Sequence, residues 1–320
     1  MALTPASVPS ARFRKLLSSL KPADVVTIAF LLFLTTLNLL FASRVPQWLL
    51  LTCMNFLAVA GIIWLARTAE TSPAPLKRQL HRWYLYVMIF LLYKEMYLMV
   101  RPIHPVDYDS VLISIDHALF GVNPTHWLLQ FAHPLLTEVL QLGYSSYFLL
   151  CSIVGVDVFR THSWKEFDTT VFMIVYGFYL SYLGYFLFPA VGPRFTLHSF
   201  ALISQELPGL IVTEPLRAFI NWGESISGSM PNAIQYVQRD AFPSGHAQLS
   251  LILVYCAFHF KTPLRWLVAV LACLLIAGTI FLRYHYVIDV VAGMAFFVFT
   301  IWSGWSIIRW WEKFQRNTLT

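Results

Sequence analysis

Eight apolar runs of membrane length or close to it dominate this chain, near residues 25–42, 47–66, 83–100, 135–156, 169–188, 244–260, 264–281 and 287–308. A hydrocarbon core is crossed by about 20 helical residues, and inside lipid only helices and closed barrels satisfy every backbone polar group. Runs of this length predict helices. The rest of the composition agrees: 58% of residues are hydrophobic and 12% charged, against about 25% charged in a soluble domain. So few charges cannot cover a water-facing surface. The expected fold class is all-α, a polytopic integral membrane protein with about eight transmembrane helices.

Loop charge orients the chain. Taking the termini and alternate loops together, fifteen Lys and Arg lie on the N-terminal side. Six (Arg44, Arg101, Arg194, Arg217, Arg239 and Arg283) lie on the opposite side, with Lys94 inside the third run. The positive-inside rule places both termini in the cytoplasm and the second set of loops on the outward face, extracytoplasmic or lumenal. The net charge of +6 follows this membrane asymmetry, and no nucleic-acid partner is expected. The first run is too long for a signal-peptide core, so it is kept as a helix. Cys53, Cys151, Cys256 and Cys273 fall within the apolar runs, far from any C-x-x-C spacing, and read as small core residues. The expected organisation is a cytoplasmic N-terminus with two additional helices over 1–82, a six-helix core over 83–308, and a cytoplasmic tail over 309–320. The stretch from about 189 to 243 reads as an ordered cap.

Unusual polar residues gather on the outward face. They are "KEMYLMVRP" (94–102), the acidic "HPVDYDSVLISID" (104–116), "FPAVGPRF" (188–195), "FPSGH" (242–246) and "RYHYVID" (283–289). Lys94 and Arg101 are seven apart, hence on one stripe of the third helix and about 10 Å apart along it. His246 opens the sixth helix and His285 follows the seventh; the short "KTP" turn between those helices returns the two histidines to a similar depth. His285 and Asp289 are four apart and share a helical face, so the carboxylate can orient the imidazole. Each residue also has a structural reading: a snorkelling Lys, a helix–helix hydrogen bond from a His, a helix cap from Ser244, a solvated acidic loop. Asp107 and Asp109 could be read as a metal pair, but no His/Asp/Glu grouping has metal-ligand spacing.

Taken together the set suits phosphate chemistry. Lys94 and Arg101 would hold an anion, and Arg matches phosphate with a fork of donors. A Pro-Ser-Gly turn into a helix offers free backbone N–H groups, with Gly245 permitting close approach and Ser244 adding a hydroxyl. Two histidines suit attack on phosphorus by one and protonation of the departing oxygen by the other. Phosphoryl transfer needs positioning and charge neutralisation, so neither metal nor cofactor is called for.

These residues resemble the three motifs of the type-2 phosphatidic acid phosphatase superfamily. Lys94 with Arg101-Pro102, Pro243-Ser244-Gly245-His246, and His285 with Asp289 occur in the same order around a six-helix core, over about 83–308. The resemblance implies a membrane enzyme acting on a lipid phosphate ester, with His285 as the nucleophile that forms a phosphohistidine. Asp289 would be its orienting partner and His246 the acid for the leaving group. Lys94, Arg101, Ser244 and Gly245 would hold the phosphate. One departure is the slot six residues before the nucleophile, where most members carry Arg and this chain has Thr279; Arg283 or Arg194 would supply the missing cation. "RYHYVIDVVAG", "FPAVGPR" and "IDHALFGVNP" are similar to the inositol phosphorylceramide synthase-like branch, in which a lipid alcohol resolves the phosphohistidine, whereas "FPSGH" is phosphatase-like. Three readings follow: a lipid phosphate phosphatase first, a head-group phosphotransferase second, a non-catalytic lipid-binding protein third. The expected partners are the bilayer, a lipid phosphate or phospholipid, and for the transferase a lipid alcohol.

Overall fold

The computed structural model describes residues 19–71, 75–228 and 230–319. The basic segment before Ser19 lies outside them. Among the described residues every regular element is helical: α1 (Pro22–Leu40), α2 (Trp48–Thr71), α3 (Pro75–Ile103), α4 (Asp109–Phe120), α5 (Pro134–Ser145), α6 (Tyr147–Thr161), α7 (Trp164–Leu187), α8 (Thr213–Gly223), α9 (Gly245–His259), α10 (Arg265–Phe281) and α11 (Val287–Leu319), with isolated helical turns between them. The protein is a polytopic all-α membrane protein. All eight expected segments are helical, and five of them (α1, α2, α3, α7 and α11) are individually long and apolar enough to cross a bilayer. The fourth is α5 and α6 in series, their axes bent by 53°. The sixth and seventh, α9 and α10, are 15 and 17 residues long.

Local chemistry sets the helix ends. Pro22 and Pro134 stand in the first turns of α1 and α5, where a missing N–H costs nothing. Ser163 and Glu166 form a capping box that starts α7. The break between α5 and α6 falls at a Ser-Ser pair, where the Ser146 hydroxyl donates to the Gly143 carbonyl at 2.6 Å, one of the recognised causes of a sharp kink. Two elements exceed their expected bounds. The segment expected from 83 begins at Pro75, and the tail expected from 309 continues α11 to Leu319. Trp311, 4% exposed, packs there against Leu20 and Ala66, so an aromatic stripe carries the helix past the apolar run.

Helix α9 is the hub, packed against α6, α7, α10 and α11, while α1 and α2 lean on α3 and α7. One apolar core joins α1, α2, α3, α6, α7, α9, α10 and α11. A close crossing lies at Gly293 of α11, where an added Cβ would stand 2.5 Å from the Ser244 carbonyl oxygen and 3.2 Å from Ala247 Cβ. Backbone faces backbone there, so a side chain has no room. Gly293→Ala is expected to destabilise the protein by about 1–3 kcal/mol through overpacking, although Ala in an ordinary helix interior would gain about 1 kcal/mol. A melting temperature equal to or above the parent's would contradict this packing.

Candidate active site

The two turns that precede α9 and α11 are laced together. The Ser244 N–H donates to the Asp289 carbonyl at 2.9 Å, and His285 Nδ1 lies 2.8 Å from the Ala241 carbonyl. The His285 turn is closed from behind by Thr279, whose carbonyl accepts the N–H of both Tyr284 and His285 at 2.9 Å. A nitrogen facing a carbonyl must carry the proton, so His285 is held as its Nδ1–H tautomer and its Nε2 lone pair points away. That lone pair meets His246 Nδ1 at 3.2 Å. The two histidines brought together by helix counting are thus a direct hydrogen-bonded pair. His285 is buried, 3% exposed, and His246 half-buried.

Asp289 lies 3.4 Å from His285 Nδ1, behind the Ala241 carbonyl in closeness, and accepts the Tyr286 N–H at 2.9 Å. It shapes the turn at least as much as it faces the ring. Ser244 serves as the N-cap of α9, its hydroxyl accepting the Ala247 N–H at 3.2 Å. The space beside Gly245 is taken by the Tyr185 hydroxyl.

The four candidate cations separate. Arg194, buried, pairs with Glu224 and with Asn221 Oδ1, and its guanidinium lies 4.6 Å over the Tyr284 ring. Tyr284 stacks on Tyr144 at 4.0 Å, and Tyr144 stacks on His246 at 4.8 Å. A cation–π column therefore runs from Arg194 to the histidine pair. Arg283 turns the other way, to Glu206, and has φ of 69°; its carbonyl accepts the Arg194 N–H at 3.0 Å. Lys94 and Arg101 are exposed and donate to the carbonyls of Gly223 and Gln235 in the cap. Thr279 is fully buried and its hydroxyl bonds its own helix at Ile276.

Several site residues carried no motif. Tyr144 and Tyr147 flank His246, the latter with ring centroids 4.3 Å apart, and they reach it because the chain kinks between α5 and α6. Asp240, beside Ala241, accepts the Tyr93 hydroxyl at 2.6 Å. The acidic stretch that reads as a solvated loop supplies scaffolding. Asp109 accepts the N–H of Val191 and Gly192 and the Tyr286 hydroxyl at 2.8–3.0 Å. Asp116 accepts the N–H of Val287 and Ile288 at 2.8 and 2.9 Å, satisfying the start of α11. Asp107 pairs instead with Arg239 at 3.3 Å, so the two carboxylates weighed as a metal pair have separate partners. The signal was present: Asp109 and Asp116 are seven apart, the same one-stripe spacing as Lys94 and Arg101.

Comparison with known proteins places most of this site in a family. The family model described as the PAP2 superfamily matches residues 110–311, which contain both histidines, Asp289 and Arg194 but not Lys94 or Arg101. A PA-phosphatase related-family protein of Dictyostelium discoideum is 27% identical over 192 residues, 54% of this chain and 33% of that protein. The match thus spans about a third of that relative's length. No solved structure matches the chain.

The His285 turn lies outside the helices, and burial pushes its imidazole down from 6.5 to about 4, against the opposing pull of Asp240. The ring is therefore neutral in the folded protein where the unfolded chain takes up a proton. Its contribution to stability is intact above about pH 6.5 and is lost as pH falls toward about 4. Nitrogen NMR of labelled protein is expected to show His285 as the neutral Nδ1–H tautomer between about pH 5 and 8. An imidazolium signal at pH 6 or an Nε2–H tautomer would contradict the geometry.

Proposed function

Because the chain belongs to the PAP2 superfamily, we propose that it is a membrane-embedded lipid phosphate phosphatase working through a phosphohistidine on His285. The observation that carries this reading is the paired histidines, one ring anchored at Nδ1 with its Nε2 lone pair directed at the other. An anchored neutral imidazole whose lone pair is released when the rings part is an activated nucleophile. At 3.2 Å the pair leaves no room for a phosphoryl group, so substrate must part the rings. In the first half-reaction His285 Nε2 bonds to phosphorus and the phosphorus–oxygen ester bond breaks. His246, holding a second proton beside the phosphate dianion, gives that proton to the leaving lipid oxygen. In the second, water attacks the phosphohistidine, His246 takes its proton, and inorganic phosphate departs as the N–P bond breaks.

Arg194 is the cation best placed to replace the one missing at Thr279, since its column ends on His246. Arg283 is committed to Glu206. Lys94 and Arg101 would reach the phosphate by exchanging carbonyl partners for a charged one, a stronger hydrogen bond. The distribution of Lys and Arg among the loops supports a site at the outward leaflet with the termini in the cytoplasm. The lipid would enter between helices with its tails still in the bilayer.

Purified protein is to be assayed in EDTA against a panel of lipid phosphates, free phosphate and new phospholipid being measured together. Phosphate release by the parent, lowered on the order of a thousandfold or more by His285→Ala, is the expected result. New phospholipid with little free phosphate would make the enzyme a head-group phosphotransferase. Activity abolished by EDTA and restored by magnesium would overturn the mechanism, and turnover that survives His285→Ala would overturn the assignment of the nucleophile.

A further inference from the structure

The cap contains a helix with its faces reversed. Along α8, Pro215, Ala218, Phe219 and Trp222 are exposed, at the i, i+3, i+4, i+7 spacing of one helical stripe, and Ile211 extends it by a turn. Ile211 is 82% exposed and Trp222 75%. Thr213, Arg217 and Asn221 turn inward and are buried beside Ile220. A helix bathed in water would present the opposite pattern.

The orientation is fixed by satisfied polar groups. Glu138 of α5 accepts the N–H of Leu210, Ile211, Val212 and Thr213 and the Thr213 hydroxyl at 2.6–3.2 Å. Arg217 donates to the Leu207 carbonyl at 2.7 Å and to Glu214 at 2.9 Å. Asn221 receives Arg194. Rotating the stripe inward would strip all of these partners, at the cost of leaving buried polar groups unsatisfied.

We propose that the apolar stripe of α8 lies in the outward leaflet of the bilayer, making α8 an interfacial helix beside the active site. The occupant is lipid because the surface continues into lipid. α8 packs on α5, and α5 exposes Leu135 and Leu142 on a membrane-length span, with Trp127 and Phe131 exposed just ahead of it. Exposed Trp and Phe at the end of a span mark the headgroup level. The other side of α8 faces the site: its Gly223 carbonyl receives Lys94, and Asn221 with the adjoining Glu224 receives Arg194. One helix thus touches lipid with one face and positions two cations with the other.

This inference stands apart from the proposed reaction and is tested without it. Trp222→Cys, in a background with the exposed Cys53 and Cys273 replaced by serine, is to carry an environment-sensitive fluorophore in phosphatidylcholine nanodiscs. Gly228→Cys, also exposed in the cap, is the reference. The label at 222 is expected to be quenched by brominated phosphatidylcholine and shielded from aqueous iodide, with the reverse at 228. Iodide quenching at 222 equal to that at 228 would overturn the proposal. Shielding found in native membranes but not in nanodiscs would assign the face to another protein and equally overturn it. Where the enzyme turns over, Phe219→Ser with Trp222→Ser is expected to lower hydrolysis of a lipid phosphate in vesicles about tenfold relative to a water-soluble phosphate ester. An equal effect on both esters would count against a lipid-facing role.

Discussion

Everything at this site hangs on two hydrogen bonds that cross between the turns ahead of α9 and α11: His285 Nδ1 to the Ala241 carbonyl, and the Ser244 N–H to the Asp289 carbonyl. Each turn lends the other a carbonyl, so the position of one histidine is set by the backbone that carries the other. The geometry also fixes chemistry: a carbonyl accepts only, which decides the tautomer of His285 without requiring a charge beside it. The near-contact of Gly293 with the Ser244 carbonyl follows from the same lacing, because the Ser244 N–H cannot reach the Asp289 carbonyl of α11 from further away.

Buried carboxylates serve mainly to hold backbone. Asp109, Asp116 and Glu138 each accept two or more main-chain N–H groups. Two of them do so at helix starts, where the orphan donors and the dipole favour negative charge. Asp116 thereby anchors the beginning of α11, and Asp109 reaches the same turn through the Tyr286 hydroxyl. A single helix, α4, braces the His285 turn from two points on one stripe.

The helices were legible because apolarity over twenty residues admits few alternatives in lipid. The meeting of His246 and His285 was legible because two antiparallel neighbours of similar length must return to one depth. What escaped was set by tertiary direction. Arg283 stands two residues from His285, yet a positive φ turns it to Glu206, while Arg194, some ninety residues away, reaches the histidines through two stacked tyrosines. The spacing of Asp109 and Asp116 was visible, but a stripe of acids reads as solvated until the backbone N–H groups it satisfies are known. The kink that delivers Tyr144 and Tyr147 depends on a Ser hydroxyl bonding its own helix, a competition that composition does not decide. The extension of α11 beyond its apolar run rests likewise on packing at Trp311, not on hydropathy.

The resting partners of the cations bear on how the proposed enzyme would open. Arg194 is bound to a carboxylate and enclosed, so moving it would strand a buried charge at a cost of several kcal/mol. Lys94 and Arg101 rest on main-chain carbonyls at an exposed surface. A bond to a neutral carbonyl is exchanged for one to a charged phosphate, and the attraction between opposite charges favours the exchange. The site therefore divides its cations into two fixed on carboxylates, Arg194 and Arg283, and two transferable, and the transferable pair is held by the cap. A phosphate drawing Lys94 and Arg101 inward would release the Gly223 and Gln235 carbonyls together, so the same event that parts the histidines would loosen the cap above them.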